Sequence, residues 1–134
     1  MTTGFPARKG KLIMVVDDTW DNLLYIQSVV ESDGYTCLAV PSGPECLELV
    51  NRAPPKLVLL DIEMPSMDGF ETCRRLRRLS FMRRVPIVFL TARKSVEAVR
   101  AGIAAGGNDF ILKPFEPERL VERIDHWIAT PLPG

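Results

Sequence analysis

Cysteine is scarce in this 134-residue chain and poorly placed for cross-linking. Cys37, Cys46 and Cys73 are odd in number, and their spacing matches no metal or disulfide pattern. A reduced, cytoplasmic setting is the expectation. Histidine is rarer still: His126 stands alone and reads as a packing or surface residue. Neither sign of charge is in excess, because Lys plus Arg and Asp plus Glu number 17 each. A neutral chain lacks the basic footprint of broad nucleic-acid binding, so no direct nucleic-acid contact is expected. No apolar run approaches the ~20 residues of a membrane span. The opening "MTTGFPARKG" lacks the apolar core and small-residue cleavage site of a signal peptide. Internal repeats and low-complexity tracts are also missing.

What is present is the ordinary balance of one globular domain: 46% hydrophobic and 25% charged residues in a length that supports a single core. Short apolar runs alternate with helical patterns. Strands are expected over "LIMVV" (12–16), "YTCLAV" (35–40), "KLVLL" (56–60), "PIVFL" (86–90) and "DFIL" (109–112). Helices are expected over 20–34, 43–55, 68–79, 95–107 and 116–129. Pro44 opens the second of these, Pro54 and Pro55 stop it, and Gly34 closes the first. Alternation with continuous apolar strands is the pattern of an α/β fold, a parallel sheet covered on both faces.

Polar residues fall at one kind of place. The first strand runs into Asp17 and Asp18, the third into Asp61, the fourth into Thr91 and the fifth into Lys113. Parallel strands share a C-terminal edge, and open α/β sheets bind ligands there. Each residue alone has an ordinary explanation. An Asp after a strand caps a helix or forms a turn, a threonine caps a loop, a lysine is solvated. Those explanations do not account for four of the five strands ending this way. Three clustered carboxylates need more cation than Lys113 supplies, and hard oxygens without a histidine or thiolate suit Mg²⁺ or Mn²⁺. A carboxylate nucleophile with a metal, a lysine and a hydroxyl around it is a phosphoryl-transfer constellation.

"MVVDD", "LVLLDIEMPSMDGFE", "PIVFLTA" and "GGNDFILKPF", in this order and at these spacings, resemble the receiver domain of two-component response regulators. The resemblance covers residues 11–129. It leaves 1–10 as an N-terminal extension and 130–134, "TPLPG", as a loose tail. It implies a flavodoxin-like, doubly wound five-stranded parallel sheet in the order 2-1-3-4-5 with five helices. It also implies that Asp61 is the phosphoacceptor and that Asp17, Asp18, Asp61 and the backbone carbonyl of Glu63 hold Mg²⁺. Thr91 and Lys113 would contact the phosphoryl oxygens, and the Lys113–Pro114 bond would be cis. Thr91 and Phe110 would form the switch, read out on the face made by the fourth helix, fifth strand and fifth helix. The implied partners are a histidine kinase or phosphotransfer protein upstream and a protein target or fused output domain downstream, with no membrane involved. Such a protein catalyses only its own phosphorylation and dephosphorylation.

Several features are individual to this chain. Family members often carry Tyr where Phe110 stands; without a hydroxyl to satisfy, the Phe110 ring is expected to favour the inward position even without phosphate. Glu63 and Arg93 either pair across the mouth of the site and hinder an attacking water, or are unrelated surface charges. The glycine-rich "AGIAAGG" is expected to make the fourth helix weak. The arginines at 74, 75, 77, 78, 83 and 84 read as a solvated face. Two other functions compete with the switch: a docking module that signals by binding alone, and a metal-dependent phosphatase with Glu63 as general acid. The intact Asp17, Asp18, Asp61, Thr91 and Lys113 argue against the first, and the missing substrate cap against the second.

Overall fold

Five parallel strands form one sheet in the order β2-β1-β3-β4-β5. They are β1 (Leu12–Val16), β2 (Thr36–Val40), β3 (Leu57–Asp61), β4 (Ile87–Thr91) and β5 (Asp109–Leu112). The helices between and after them are α1 (Trp20–Ser32), α2 (Gly43–Arg52), α3 (Gly69–Arg77), α4 (Val96–Ala105) and α5 (Pro117–Ala129). The structure is a computed structural model that describes residues 10–93, 95–130, 132 and 133. Apart from Gly10, the N-terminal extension lies outside the described residues, as do Pro131 and Gly134 of the tail. Among the described residues no helix is long and apolar enough to cross a membrane.

Side chains alternate across each central strand and so build two cores. Met14, Val16, Val58, Leu60, Ile87 and Phe89 face a cluster that includes Cys46, Cys73, Leu76 and Ala98, from α2, α3 and α4. Ile13, Val15, Leu57, Leu59, Val88 and Leu90 face Leu23, Ile26, Leu120 and Ile124, from α1 and α5. Burial on both faces is why β1, β3 and β4 read as unbroken apolar runs. The cysteines are free and buried. Burial pushes the thiols of Cys37 and Cys46 up to about 12 and that of Cys73 to about 11, which makes them inert packing groups.

The helix ends follow local chemistry. Ser42, Asp68 and Ser95 accept from the backbone N–H of Glu45, Glu71 and Ala98, capping α2, α3 and α4. Gly34 and Gly106 take positive φ after α1 and α4, where the chain must turn out of the helix. Each helix is one to three residues shorter than the sequence predicts and β2 starts one residue later, at Thr36; three further details differ. β3 and β4 each start and end one residue later than expected, because Asp61 still pairs with Leu90, and Thr91 with Leu112. A 3₁₀ turn, Ser80–Met82, fills part of the α3–β4 connection, where the sequence pattern predicts no element. Arg77 leaves the solvated face expected for the arginine run: it is half-buried and donates to Gly106, Met82, Val85 and Asn108.

Candidate functional site

The C-terminal ends of β1, β3, β4 and β5 lie side by side because the strands are parallel and in register. Asp17 follows β1 and is fully buried, Asp61 ends β3 at 7% exposure, and Thr91 ends β4 at 2%. Asp17 is held from several sides. Its Oδ1 accepts from the Thr19 backbone N–H at 2.9 Å, and its Oδ2 from Asn22 Nδ2 at 3.3 Å. Lys113, half-buried just after β5, donates to Asp17 Oδ2 at 3.2 Å and to Asp61 Oδ1 at 3.1 Å. The Lys113–Pro114 bond is cis. Asp18 stands exposed at the lip of the same cluster.

Burial pushes the Asp61 carboxyl up to about 6; the Lys113 hydrogen bond and charge pull it down, and the Asp17 and Asp18 charges add to the rise. Burial depresses Lys113, but Asp61 and Asp17 outweigh it and hold the ammonium above its usual value. The two directions have different origins: burial dominates at Asp61, whereas the two neighbouring carboxylates dominate at Lys113.

Asp17, Asp18 and Asp61 can each offer one carboxylate oxygen, all within 4.8 Å of one another. Three acidic oxygens against a single ammonium, with no nitrogen or sulfur ligand, form a donor set that fits a hard divalent cation such as Mg²⁺. The site therefore has a buried carboxylate on a fixed strand end, an ammonium beside it, and two further carboxylates within reach of the same point.

Other residues take different places. The Thr91 hydroxyl reaches the site's edge but accepts from the Arg93 backbone N–H at 2.9 Å, shaping the β4–α4 loop. The Glu63 side chain points to Arg93, Oε2 to Nε 3.3 Å, and the Arg93 guanidinium lies 5.9 Å from the Phe70 ring centroid. Phe110 is half-buried, its ring 5.3 Å from that of Phe89. Two residues carry more than their sequence context suggested. Asn22 sits in the first turn of α1, and its position five residues after Asp17 was the available signal. Gly69 passes so close to Asp61 that a Cβ there would lie 2.3 Å from the Asp61 carbonyl oxygen.

A family model described as the response regulator receiver domain matches residues 13–125. The DNA-binding response regulator MtrA of Mycobacterium tuberculosis is 38% identical over 112 residues, which cover 84% of this chain and 48% of that protein. The chain thus spans about half the length of the curated relatives it matches. A putative response regulator from Chloroflexus aurantiacus superposes with a TM-score of 0.86 at 33% identity, over 91% of this chain and all of the other. The receiver domain of a sensor histidine kinase from Pseudomonas aeruginosa, solved with a magnesium ion in its active-site cleft, gives 0.84 at 30% identity, over 90% and 99% of the two chains. Sheet order, acidic edge and sequence agree on one assignment: this chain belongs to the response regulator receiver domain family.

Proposed function

We propose that this chain is a phosphorylation-controlled switch whose acceptor is Asp61. One observation carries the reading: the Lys113 ammonium bridges Asp61 and the buried Asp17 at 3.1 and 3.2 Å, which fixes a carboxylate oxygen at the sheet's edge. An Asp61 oxygen attacks the phosphorus of a phosphohistidine on a histidine kinase or phosphotransfer protein. The new O–P bond forms as the P–N bond breaks, and the imidazole nitrogen keeps the electron pair. Water later cleaves the acyl phosphate, restoring the carboxylate and releasing phosphate. Lys113 offsets the charge gathered on the transferred group, and the Thr91 hydroxyl turns from Arg93 to accept a place beside it. Asp17, Asp18, Asp61 and the Glu63 carbonyl would hold Mg²⁺, which supplies charge neutralisation at the phosphoryl oxygens. Phe110 relays the state to the face formed by α4, β5 and α5. A cytoplasmic setting fits the kinase partner. Output through a protein target or a fused domain is consistent with the DNA-binding relatives.

Incubation with acetyl phosphate and MgCl₂, followed by intact mass, is the test. A gain of one phosphoryl group is expected, abolished in Asp61→Ala and prevented by EDTA. No gain in the wild-type chain would favour docking without phosphorylation.

The Glu63–Arg93 pair gives a finer prediction. Both side chains are largely exposed, so the pair is worth ~1 kcal/mol or less and is screened by salt. Arg93→Ala should therefore speed loss of the phosphoryl group by at most about fivefold at low ionic strength. The difference should vanish in high salt. An unchanged rate at low salt means that the pair does not gate the water.

A further inference from the structure

Gly102 lies buried in the second half of α4, where a glycine weakens a helix relative to alanine. The sequence predicts that weakness; the packing shows what the glycine makes room for. A Cβ at Gly102 would stand 2.3 Å from Phe110 Cζ, 3.0 Å from Phe110 Cε2 and 3.0 Å from Phe89 Cε2. Real Cβ atoms do not approach that closely, so the Phe110 ring occupies the place an ordinary side chain would take. Gly107, just beyond α4, repeats the arrangement one layer deeper: a Cβ there would lie 2.2 Å from Phe89 Cε2. The rings continue inward, with Phe89 5.4 Å from Phe70 in an edge-on contact.

The other side of Phe110 is open. It borders a groove of about 520 Å³ lined also by Arg93, Val99, Leu112, Phe115 and Arg119. A ring turned away from Gly102 swings toward that groove.

The geometry points to Gly102 as a positioning residue that sets the resting state of Phe110. The bare backbone of α4 forms a slot that holds the ring inward before any phosphorylation and keeps the α4–α5 groove open. The missing hydroxyl of Phe110 makes the inward state tolerable; the missing Cβ of residue 102 makes it fit. This deepens the switch reading and rests on it for its consequence, since an outward ring would fill the surface through which the switch reports.

The test uses the unphosphorylated full chain. In wild type, NMR should show nuclear Overhauser contacts between the Phe110 ring protons and the Gly102 α-protons. In Gly102→Ala those contacts should disappear, and new ones to Val99 and Phe115 should replace them. Persistence of the Phe110 contacts to residue 102 in the variant would overturn the proposal, because α4 would then have shifted instead of the ring. Stability provides a second readout, the coupling between the two positions. Gly102→Ala should lower the thermal midpoint clearly when Phe110 is present and much less in a Phe110→Ala background, where only the 3.0 Å approach to Phe89 Cε2 still opposes alanine's better helix propensity. Equal shifts in both backgrounds would also overturn it. Neither measurement involves phosphate, so failure of Asp61 to accept a phosphoryl group would sink the switch reading and leave both results interpretable.

Discussion

Replacing Arg77 with alanine should lower the unfolding free energy by about 3 kcal/mol, far more than replacing either arginine just before it in the run. The Arg77 guanidinium gathers four acceptors from separate parts of the chain, two of which, the Met82 carbonyl and Asn108 Oδ1, also take a backbone N–H. Nε donates to the Gly106 carbonyl at 2.9 Å, Nη1 to those of Met82 and Val85 at 2.5 and 2.7 Å, and Nη2 to Asn108 Oδ1 at 2.9 Å. Asn108 in turn takes the Ile87 N–H at 2.8 Å and donates its own N–H to Ile87. One side chain thus ties the end of α3 to the 3₁₀ turn, the start of β4, the last turn of α4 and the approach to β5. Burial holds its pKa below the usual arginine value, yet the group stays charged, and the carbonyls solvate it. Truncation removes the side-chain donor from all four acceptors in a partly desolvated place and leaves the Gly106 and Val85 carbonyls without the bond they had, which costs more than the bonds' net worth. Arg77→Lys should recover only part of the loss, because an ammonium has no planar fork to reach acceptors on several elements. Arg74 and Arg75 pair with Glu71 on the surface, and their replacement should scarcely move the midpoint. Urea unfolding of the variants decides the matter. If Arg77→Ala unfolds like Arg75→Ala, the guanidinium is not a structural tie.

Arg77 also marks where the sequence stops being legible. In "CRRLRRL" nothing separates it from its neighbours; only the approach of Gly106 and Asn108, 29 and 31 residues further on, draws it inward. Local patterns carry local information, and that suffices for the alternation of strands and helices, the helix boundaries near Gly34 and Pro44, and the two-sided burial of β1, β3 and β4. The acidic edge was legible for a related reason. Parallel strands put all their C-terminal ends together, so position in the chain becomes position in space. Asp17, Asp61 and Lys113 meet at hydrogen-bonding distance as that logic requires. Strand order could not be read from spacing and came from the family resemblance. The role of Gly102 was hidden because a glycine's weakness is visible in sequence, whereas the ring that needs its empty space is not. Glu63 and Arg93 show the same limit: their charges suggested two readings, and only coordinates place them 3.3 Å apart.

Gly69→Ala should slow phosphotransfer to Asp61 by roughly 10²-fold while the protein still folds, since a misplacement near 1 Å has that effect on a positioned reaction. Gly69 does not have positive φ, so its need is for space and not for conformation. An added Cβ would meet the Asp61 carbonyl oxygen at 2.3 Å, Ile62 Cα at 2.8 Å and the Asp61 carbonyl carbon at 3.0 Å. All three are backbone atoms at the end of a central strand, paired with β4 through Asp61 and Leu90. The opposing side is fixed as well: the Gly69 N–H donates to the Ile62 carbonyl at 2.8 Å, and Asp68 caps α3 through the Glu71 N–H at 2.9 Å. Neither partner yields cheaply, and overpacking of this kind costs about 1–3 kcal/mol. Gly34→Ala makes the control. It forces a side chain into positive φ at the far end of α1, with a strain of about 1 kcal/mol or more, and leaves the acidic edge alone. Both variants should lose stability, but only the change at residue 69 should slow uptake from acetyl phosphate with Mg²⁺ under conditions where both are folded. Equal rates in the two variants would mean that the tight passage of α3 past β3 serves packing alone. A selective loss at residue 69 would tie the aim of the Asp61 carboxylate to the one residue type that lets the helix pass so near.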